Sequence, residues 1–194
     1  MIEQKRVFDP ERVKLGRALR KDRSPLMRRR RIAVGLSLAS TATLGFISLF
    51  QTGIIRKLPD PPIKRFKASA VSSSGEGYLM GIPDALLGMV SYTVTASLIA
   101  GGPPDRVRKL PWLPAAAMVK TGLDTIVSLR LARIQFRDLR LYCVYCLAAT
   151  GMTVAAAPLT WGEGVKAVRS LVAADEERHQ ALPPVPEEFR SRAA

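Results

Sequence analysis

The sequence predicts an all-α integral membrane protein, a bundle of four transmembrane helices. Three observations support this prediction. Hydrophobic residues make up 47% of the 194-residue chain and are gathered into separate apolar blocks. The basic run Arg28 to Arg31 directly precedes the first of these blocks, as positive charge does on the cytoplasmic side of a membrane span. Polar segments rich in proline or glycine separate the blocks, as loops separate helices.

Residues 1–31 form a basic N-terminal extension and hold much of the positive excess behind the formal net charge of +14. A basic block can bind nucleic acid. Beside an apolar segment, its commoner role is to stay on the cytoplasmic face, near anionic lipid headgroups. We therefore expect the lipid bilayer as partner and no nucleic acid. We also expect a cytoplasmic extension that lies on the membrane surface as a helix and is broken by Pro25.

The first two predicted spans are residues 32–55 and 78–100. The first contains no charged residue and is long enough to cross a bilayer. A signal peptide is the alternative, but the run is longer than the core of a signal peptide. The second is interrupted only by Pro83 and Asp84, and it ends at a Gly-Gly-Pro-Pro stop.

The third predicted span, residues 112–134, is interrupted by Lys120, Asp124 and Arg130. Lys120 and Asp124 are four residues apart, so they can pair on one helix face. Charged groups in a membrane helix face the bundle or water rather than lipid. We interpret this pair as a contact that holds the bundle together rather than as a catalytic group.

The fourth predicted span is residues 141–161, followed by a C-terminal tail of mixed charge, residues 162–194, that we expect to form a short helix and a mobile end. Residues 32–161 then form the transmembrane domain, with both termini on one side. The N-terminal extension is more basic than the loop of residues 56–77, which places the termini in the cytoplasm. In a bacterial inner membrane, the start of the fourth span faces the periplasm.

The only two cysteines, Cys143 and Cys146, open this fourth span. On a helix their sulfurs lie on one face, close enough for a disulfide. The helix dipole and the neighbouring Arg137 and Arg140 favour a thiolate, whereas desolvation opposes it. The alternative is that both are small apolar packing residues. We expect no metal site, because zinc needs four ligands and the remaining candidate, His179, lies far away in the tail.

Asp84 is the acidic residue of the second predicted span. A carboxylate within a membrane is costly, which favours a functional role. The alternative is a structural role, in which it caps the helix after Pro83 or pairs with Lys64, Arg65 or Lys67. The residues themselves leave both interpretations open.

Two segments together resemble the vitamin K epoxide reductase family, including its bacterial members, over roughly residues 33–160. They are VSSSGEGYLMGIPDALLGMVSY at 71–92 and LYCVYC at 141–146. Family members carry a loop C-x-x-V-x-S-S, then a helix start G-I-P-x-A-L-x-G-x-x-x-Y, then a C-x-x-C. The matching positions of the first segment are Val71, Ser73, Ser74, Gly81, Ile82, Pro83, Ala85, Leu86, Gly88 and Tyr92.

The resemblance implies a four-helix bundle around a quinone, ubiquinone or menaquinone. It implies that Cys143 and Cys146 are the catalytic pair, with Cys146 facing the quinone and Cys143 exchanging with the loop. By position, Asp84 and Thr150 would hydrogen-bond the quinone carbonyls. Ser74 matches the hydroxyl residue beside the active site.

The chain departs from the family at the loop cysteines. Ala68 occupies the place of the second one, and residues 56–77 contain no cysteine. The internal relay of the family therefore cannot run here. We expect a quinone-linked membrane thiol-disulfide oxidoreductase that takes electrons directly from a periplasmic thioredoxin-like dithiol protein. The alternative is a redox-degenerate accessory or structural subunit of a larger membrane complex, with the termini as contact arms.

Overall fold

The structure, a computed structural model, describes residues 9–181, and most of them are helical. A short antiparallel hairpin, a 3-10 turn at Gly75–Gly77 and a π-helical turn at Gln135–Leu139 complete the described elements. In chain order the helices and strands are α1 Pro10–Lys21, α2 Pro25–Gln51, α3 Ala68–Ser72, β1 Tyr78–Leu79, β2 Ile82–Pro83, α4 Asp84–Ala100, α5 Arg106–Lys109, α6 Trp112–Ile134 and α7 Val144–Ala181.

The four long helices pack side by side. Helix α2 packs against α4 and α7, and α6 packs against the same two helices. Within the part of the chain that the structure describes, two helices are long and apolar enough to cross a membrane by length and composition, α2 and the Val144–Glu177 part of α7. Helix α4 is apolar but has 17 residues. The four long helices therefore enclose a common interior, which two membrane-length helices border.

Helix α2 begins where its N-terminal residues satisfy the free backbone N–H groups. The Ser24 hydroxyl accepts the N–H of Met27 at 3.2 Å, and Pro25 stands in the first turn, where its missing N–H costs nothing. The basic run that follows is thus part of the helix. Helix α1 lies before this start, as the sequence predicts, while residues 1–8 lie outside the described residues.

The start of the second apolar helix differs from the prediction. Residues 78–83 form the β1–β2 hairpin, in which Tyr78 pairs with Pro83. Met80 and Gly81 make its turn with φ values of 53° and 83°, in the left-handed region. Helix α4 begins only at Asp84, after the proline. The segment is apolar in sequence, but it is an exposed hairpin and not a turn of helix.

The fourth helix also differs from its predicted bounds. It begins at Val144, three residues later than expected, and continues past Trp161 through Ala181 without a break. The short helix predicted for the C-terminal tail is therefore the second half of α7. Residues 182–194, where we expect the mobile end, lie outside the described residues.

Two buried arginines fasten the C-terminal end of α4. Arg30 and Arg106 both donate to the carbonyl of Ile99, at 2.7 and 2.8 Å, and so satisfy an acceptor that the helix end leaves free. Arg106 also forms a bidentate ion pair with Glu163 of α7, at 2.6 and 2.7 Å. This buried cluster ties α2, α4 and α7 together at the end of the bundle away from the cysteines.

The crossing of α6 and α7 requires a glycine. A Cβ at Gly164 would lie 2.4 Å from the Cβ of Met118. We expect Gly164→Ala to lower the free energy of unfolding by about 1–3 kcal/mol, because the helices must separate. Thermal unfolding in detergent, followed by tryptophan fluorescence, measures this. Gly162→Ala is the matched control, since nothing lies within 4 Å of its added methyl. An equal loss of unfolding free energy in the two variants would contradict the close approach of α6 and α7 at Gly164.

Candidate functional site

Cys143 sits at the position that caps the N-terminus of α7. Its sulfur accepts the backbone N–H of Cys146 at 3.2 Å, as the side chain of a capping residue does. Its own N–H donates to Oε1 of the buried Gln135 at 2.8 Å. The two sulfurs lie 2.6 Å apart as free thiols. A small movement would join them in a disulfide, as the C-x-x-C spacing predicts.

The two cysteines differ in burial. Cys143 is 0% exposed and packs in a cluster with Ile47, Leu58 and Ala68. Cys146 is half-buried and lines an internal cavity. The resemblance implies that Cys146 faces the quinone and Cys143 the loop. The structure covers Cys143 and leaves Cys146 facing the cavity.

The cover over Cys143 is the cap segment, residues 66–72, which ends in helix α3. A parallel bridge holds it to the start of α7, since Lys67 donates its N–H to the carbonyl of Tyr142 at 3.0 Å. The N–H of Ala68 donates to Oδ1 of Asp60 at 2.8 Å. These bonds bring Ala68, the position of the missing loop cysteine, into the same packed cluster as Cys143.

The cavity lies between the four long helices and has a volume of about 500 Å³. Cys146, Asp84, Thr150 and Ser74 all line it, so the residues that the sequence predicts to bind a quinone surround one space. Most of the other lining side chains are apolar, among them Leu44 on α2. This size, with polar groups that converge among apolar side chains, is typical of a site for a drug-sized molecule.

The polar groups on the cavity wall have defined partners. Asp84 accepts a hydrogen bond from Gln51 at 2.7 Å, which anchors its carboxyl without an ion pair. Thr150 donates to the carbonyl of Cys146 at 2.9 Å, and Ser74 donates to that of Val71 at 2.7 Å. Either hydroxyl can rotate and donate instead to an acceptor in the cavity.

Gln51 is a site residue that sequence reasoning missed. Its amide Nε2 donates to the carbonyls of Ser72 and Gly77, at 3.1 and 2.8 Å, as well as to Asp84. Its Oε1 accepts the N–H of Ala85 at 3.3 Å. One buried side chain at the end of α2 thus links the cap segment, the hairpin and the start of α4. In sequence it is a single polar residue near the end of an apolar run, which carries no signal of this role.

The inner end of the cavity is polar. Lys120 and Asp124 form the ion pair that their spacing predicts, and both bond the hydroxyl of Ser91 on α4. Thr95 donates to the same carboxylate. The pair therefore joins α6 to α4, in agreement with the interpretation that it holds the bundle together. Asp124 and Ser91 also line the cavity, which the sequence gives no means to foresee.

Hydrogen bonds to the Cys143 sulfur favour its anionic form. The hydrogen bond from the Cys146 thiol lowers the pKa of the Cys143 thiol most, and the N–H groups of Cys146 and Tyr145 add to this, while burial opposes it. We expected Arg137 and Arg140 to lower the pKa of this thiol, but the contributions come from hydrogen bonds instead. Cys143, beneath the cap segment, is therefore the thiol that forms a thiolate more readily.

Comparison with known proteins agrees with this geometry. The family model described as vitamin K epoxide reductase family matches residues 31–161, which is more than half of the chain. No curated protein matches the chain. The matched region contains α4, the cap segment and the cysteine pair. The chain therefore belongs to the vitamin K epoxide reductase family.

Proposed function

We propose that the protein is a quinone-linked membrane thiol-disulfide oxidoreductase. Family membership indicates a membrane thiol oxidoreductase in general terms. The observation that carries the more specific proposal is that the two neighbouring sulfurs face different parts of the protein. Cys146 lines the cavity, whereas Cys143 lies under the cap segment. Such a pair can accept electrons on one side and deliver them on the other.

We further propose that all four long helices cross the membrane, with the termini in the cytoplasm and the cysteines near the periplasmic side. Helix α2 and most of α7 have the length and apolar character for this. Helices α4 and α6 pack against them along the same bundle, so they would occupy the same bilayer. The charges of α6 at Lys120 and Asp124 pair within the bundle, as charges within a membrane require.

The chemistry is a two-step transfer of two electrons. A donor thiolate attacks the sulfur of Cys143 in a Cys143–Cys146 disulfide, and Cys146 leaves as a thiolate. The second donor thiol then displaces Cys143, so the donor becomes a disulfide and the protein a dithiol. The dithiol returns to the disulfide as two electrons and two protons pass into the cavity at Cys146. A quinone held beside Cys146 by Asp84 and Thr150 would accept these electrons and protons and leave as a hydroquinone.

Asp84 and Thr150 would orient the quinone in this scheme. Gln51 donates to one oxygen of the Asp84 carboxyl, which leaves the other oxygen free to face a ligand carbonyl when it carries a proton. Thr150 lies one turn beyond Cys146 on α7, so its hydroxyl and the reactive sulfur share one face of the cavity.

The donor must reach Cys143 through the cap segment. Ala68 occupies the relay position against the sulfur and is itself 0% exposed. The donor's sulfur would therefore take the place of the Ala68 side chain, which requires the cap segment to shift. The loop around the cap segment carries Lys57, Lys64 and Lys67, so a donor with an acidic contact surface would suit it.

A cysteine placed at the relay position tests this arrangement. In a Cys146→Ala background, we expect Ala68→Cys to form a disulfide with Cys143, because the two side chains share one packed cluster. Mass spectrometry of unreduced peptides detects the bond. Ala70→Cys is the matched control, since Ala70 is on the same short helix but exposed. Equal cross-linking from both positions would contradict the placement of Cys143 beneath the cap segment.

The decisive experiment is a quinone-reduction assay on purified protein in nanodiscs. We expect a reduced thioredoxin-like donor to convert a short-chain quinone to its hydroquinone, as measured by absorbance, at a rate that requires the cysteines. A rate no faster than that of empty nanodiscs, with the donor left reduced, would refute the proposal.

A second function, as an accessory subunit of a larger membrane complex, is favoured by one observation. The relay position next to Cys143 holds Ala68 rather than a cysteine. Extraction in a mild detergent followed by native electrophoresis distinguishes the two proposals. A chain that migrates alone as a monomer rules out the subunit, whereas a stable larger complex without quinone reduction favours it.

A further inference from the structure

Ser72 has a buried hydroxyl without a hydrogen bond of ordinary geometry. The residue is 4% exposed, and among the side chains described in residues 9–177 its Oγ is the buried polar atom that has no hydrogen-bond partner. Its backbone carbonyl, by contrast, accepts a bond from Gln51 at 3.1 Å. Buried polar atoms without a partner are rare in folded proteins, and each calls for an explanation.

The neighbouring serines do not share this feature. Ser73 is exposed to solvent, and the hydroxyl of Ser74 donates to the carbonyl of Val71. Ser72 is the last residue of the cap segment and faces the interior of the protein. There it lines the cavity and lies near the covered sulfur of Cys143. Its position therefore suggests that its hydrogen-bond acceptor becomes a strong one only during the reaction.

The sulfur of Cys143, which the cap segment covers, is an acceptor close enough to interact with this hydroxyl. It already accepts the N–H of Cys146 and the Cys146 thiol. A neutral thiol is a weak acceptor, so the Ser72 hydroxyl gains little from it. A thiolate at the same place would be a strong acceptor, and a hydrogen bond to a charged group is about twice as strong as a neutral one.

We propose that Ser72 is a positioning residue whose hydroxyl donates a hydrogen bond to the sulfur of Cys143 when that sulfur is a thiolate. No electron moves in this step. Cys143 gives its proton to water, and the Ser72 hydroxyl turns towards the new negative charge. The bond keeps the charge on Cys143, the sulfur that faces the donor, rather than on Cys146. This last consequence rests on the proposed thiol-disulfide function, whereas the hydrogen bond itself does not.

The test uses Cys146→Ala protein, in which Cys143 is the single thiol of the chain. The rate of alkylation by iodoacetamide is measured against pH in detergent. Burial slows the reaction at every pH, so the midpoint of the profile is compared and not the rate. With Ser72→Ala added, we expect the midpoint to rise by about one pH unit, which means about tenfold less thiolate below it.

Two further variants separate a hydrogen bond from a packing effect. Ser72→Thr keeps the hydroxyl and should keep the original midpoint. Ser73→Ala removes an exposed hydroxyl next to it and should also leave the midpoint in place. The proposal is overturned if Ser72→Ala has the same alkylation midpoint as Ser73→Ala. It is also overturned if Ser72→Thr raises the midpoint as far as Ser72→Ala does.

The quinone assay, run on protein that has both cysteines, separates a role of Ser72 in ligand binding from its hydrogen bond to Cys143. A raised KM for quinone in Ser72→Ala, with an unchanged alkylation midpoint, would mean that the hydroxyl binds the ligand and would overturn the proposal. If no variant reduces quinone, the alkylation midpoints still decide whether Ser72 bonds Cys143. The failure of the proposed function and the failure of this inference are therefore observed separately.

Discussion

Cys146→Ala is expected to abolish quinone reduction and yet leave Cys143 able to trap a donor protein. Cys146 is the sulfur on the cavity wall, so its loss removes the path to the ligand. Cys143 keeps the Cys146 backbone N–H and the end of α7 that favour its thiolate. With an oxidised thioredoxin-like donor, its thiolate attacks the donor disulfide and forms a mixed disulfide while one donor thiolate leaves. The variant has no second thiol of its own to complete the exchange, so the mixed disulfide is trapped when free thiols are blocked.

The measurement has two parts, hydroquinone formation by absorbance and the mixed disulfide by electrophoresis without reductant. Cys143→Ala should lose both the activity and the mixed disulfide. Val144→Ala, which changes the residue between the same two positions without touching a thiol, should keep activity. A donor adduct that forms on Cys146 in the Cys143→Ala protein, and not on Cys143, would reverse the assigned order of the two sulfurs.

Glu163→Leu is expected to lower the free energy of unfolding by about 3–5 kcal/mol, the usual cost of leaving one buried charge without its partner. The side chains of Arg106 and Glu163 are 1% and 5% exposed, so water cannot replace the lost carboxylate. Arg106 retains carbonyl acceptors at the end of α4, but carbonyls do not neutralise its charge. We expect a large drop in the thermal unfolding midpoint of purified protein in detergent.

The exposed pair Lys109–Asp105 provides the control. Its side chains are 66% and 51% exposed, so Asp105→Ala should have a much smaller effect. Replacing both members of the buried pair, Arg106→Met with Glu163→Leu, should recover much of the loss, because no unpaired charge remains. If Glu163→Leu unfolds at the same temperature as Asp105→Ala, the ion pair does not hold the bundle together.

The helices were predictable to different degrees. Helix α6, Trp112–Ile134, has the predicted bounds, because proline precedes it and its apolar face continues to the end. Residues 78–83 were wrongly assigned to a helix, since a short apolar run does not distinguish an exposed hairpin from a helical turn. The left-handed turn at Met80 and Gly81 became visible only in the structure.

The candidate site, like the helices, was predictable only in part from the sequence. The cysteine pair was predicted from its spacing, and Asp84, Thr150 and Ser74 were predicted from the family pattern. The structure places all of these except Cys143 on the cavity wall. Gln51 and Ser72 were not found. Their roles depend on contacts with residues distant in the chain, and a single polar residue within an apolar run gives no sign of such contacts.

The sequence by itself determined that the chain is helical, that its apolar blocks suit a membrane and that its only thiols form a C-x-x-C. These properties depend on composition and on spacing along one chain. Only the tertiary structure decided that the cap segment buries Cys143 completely while Cys146 stays on the cavity wall. The reason is that exposure depends on the packing of the cap segment and α2 against the start of α7, and that packing brings together residues that no local pattern connects.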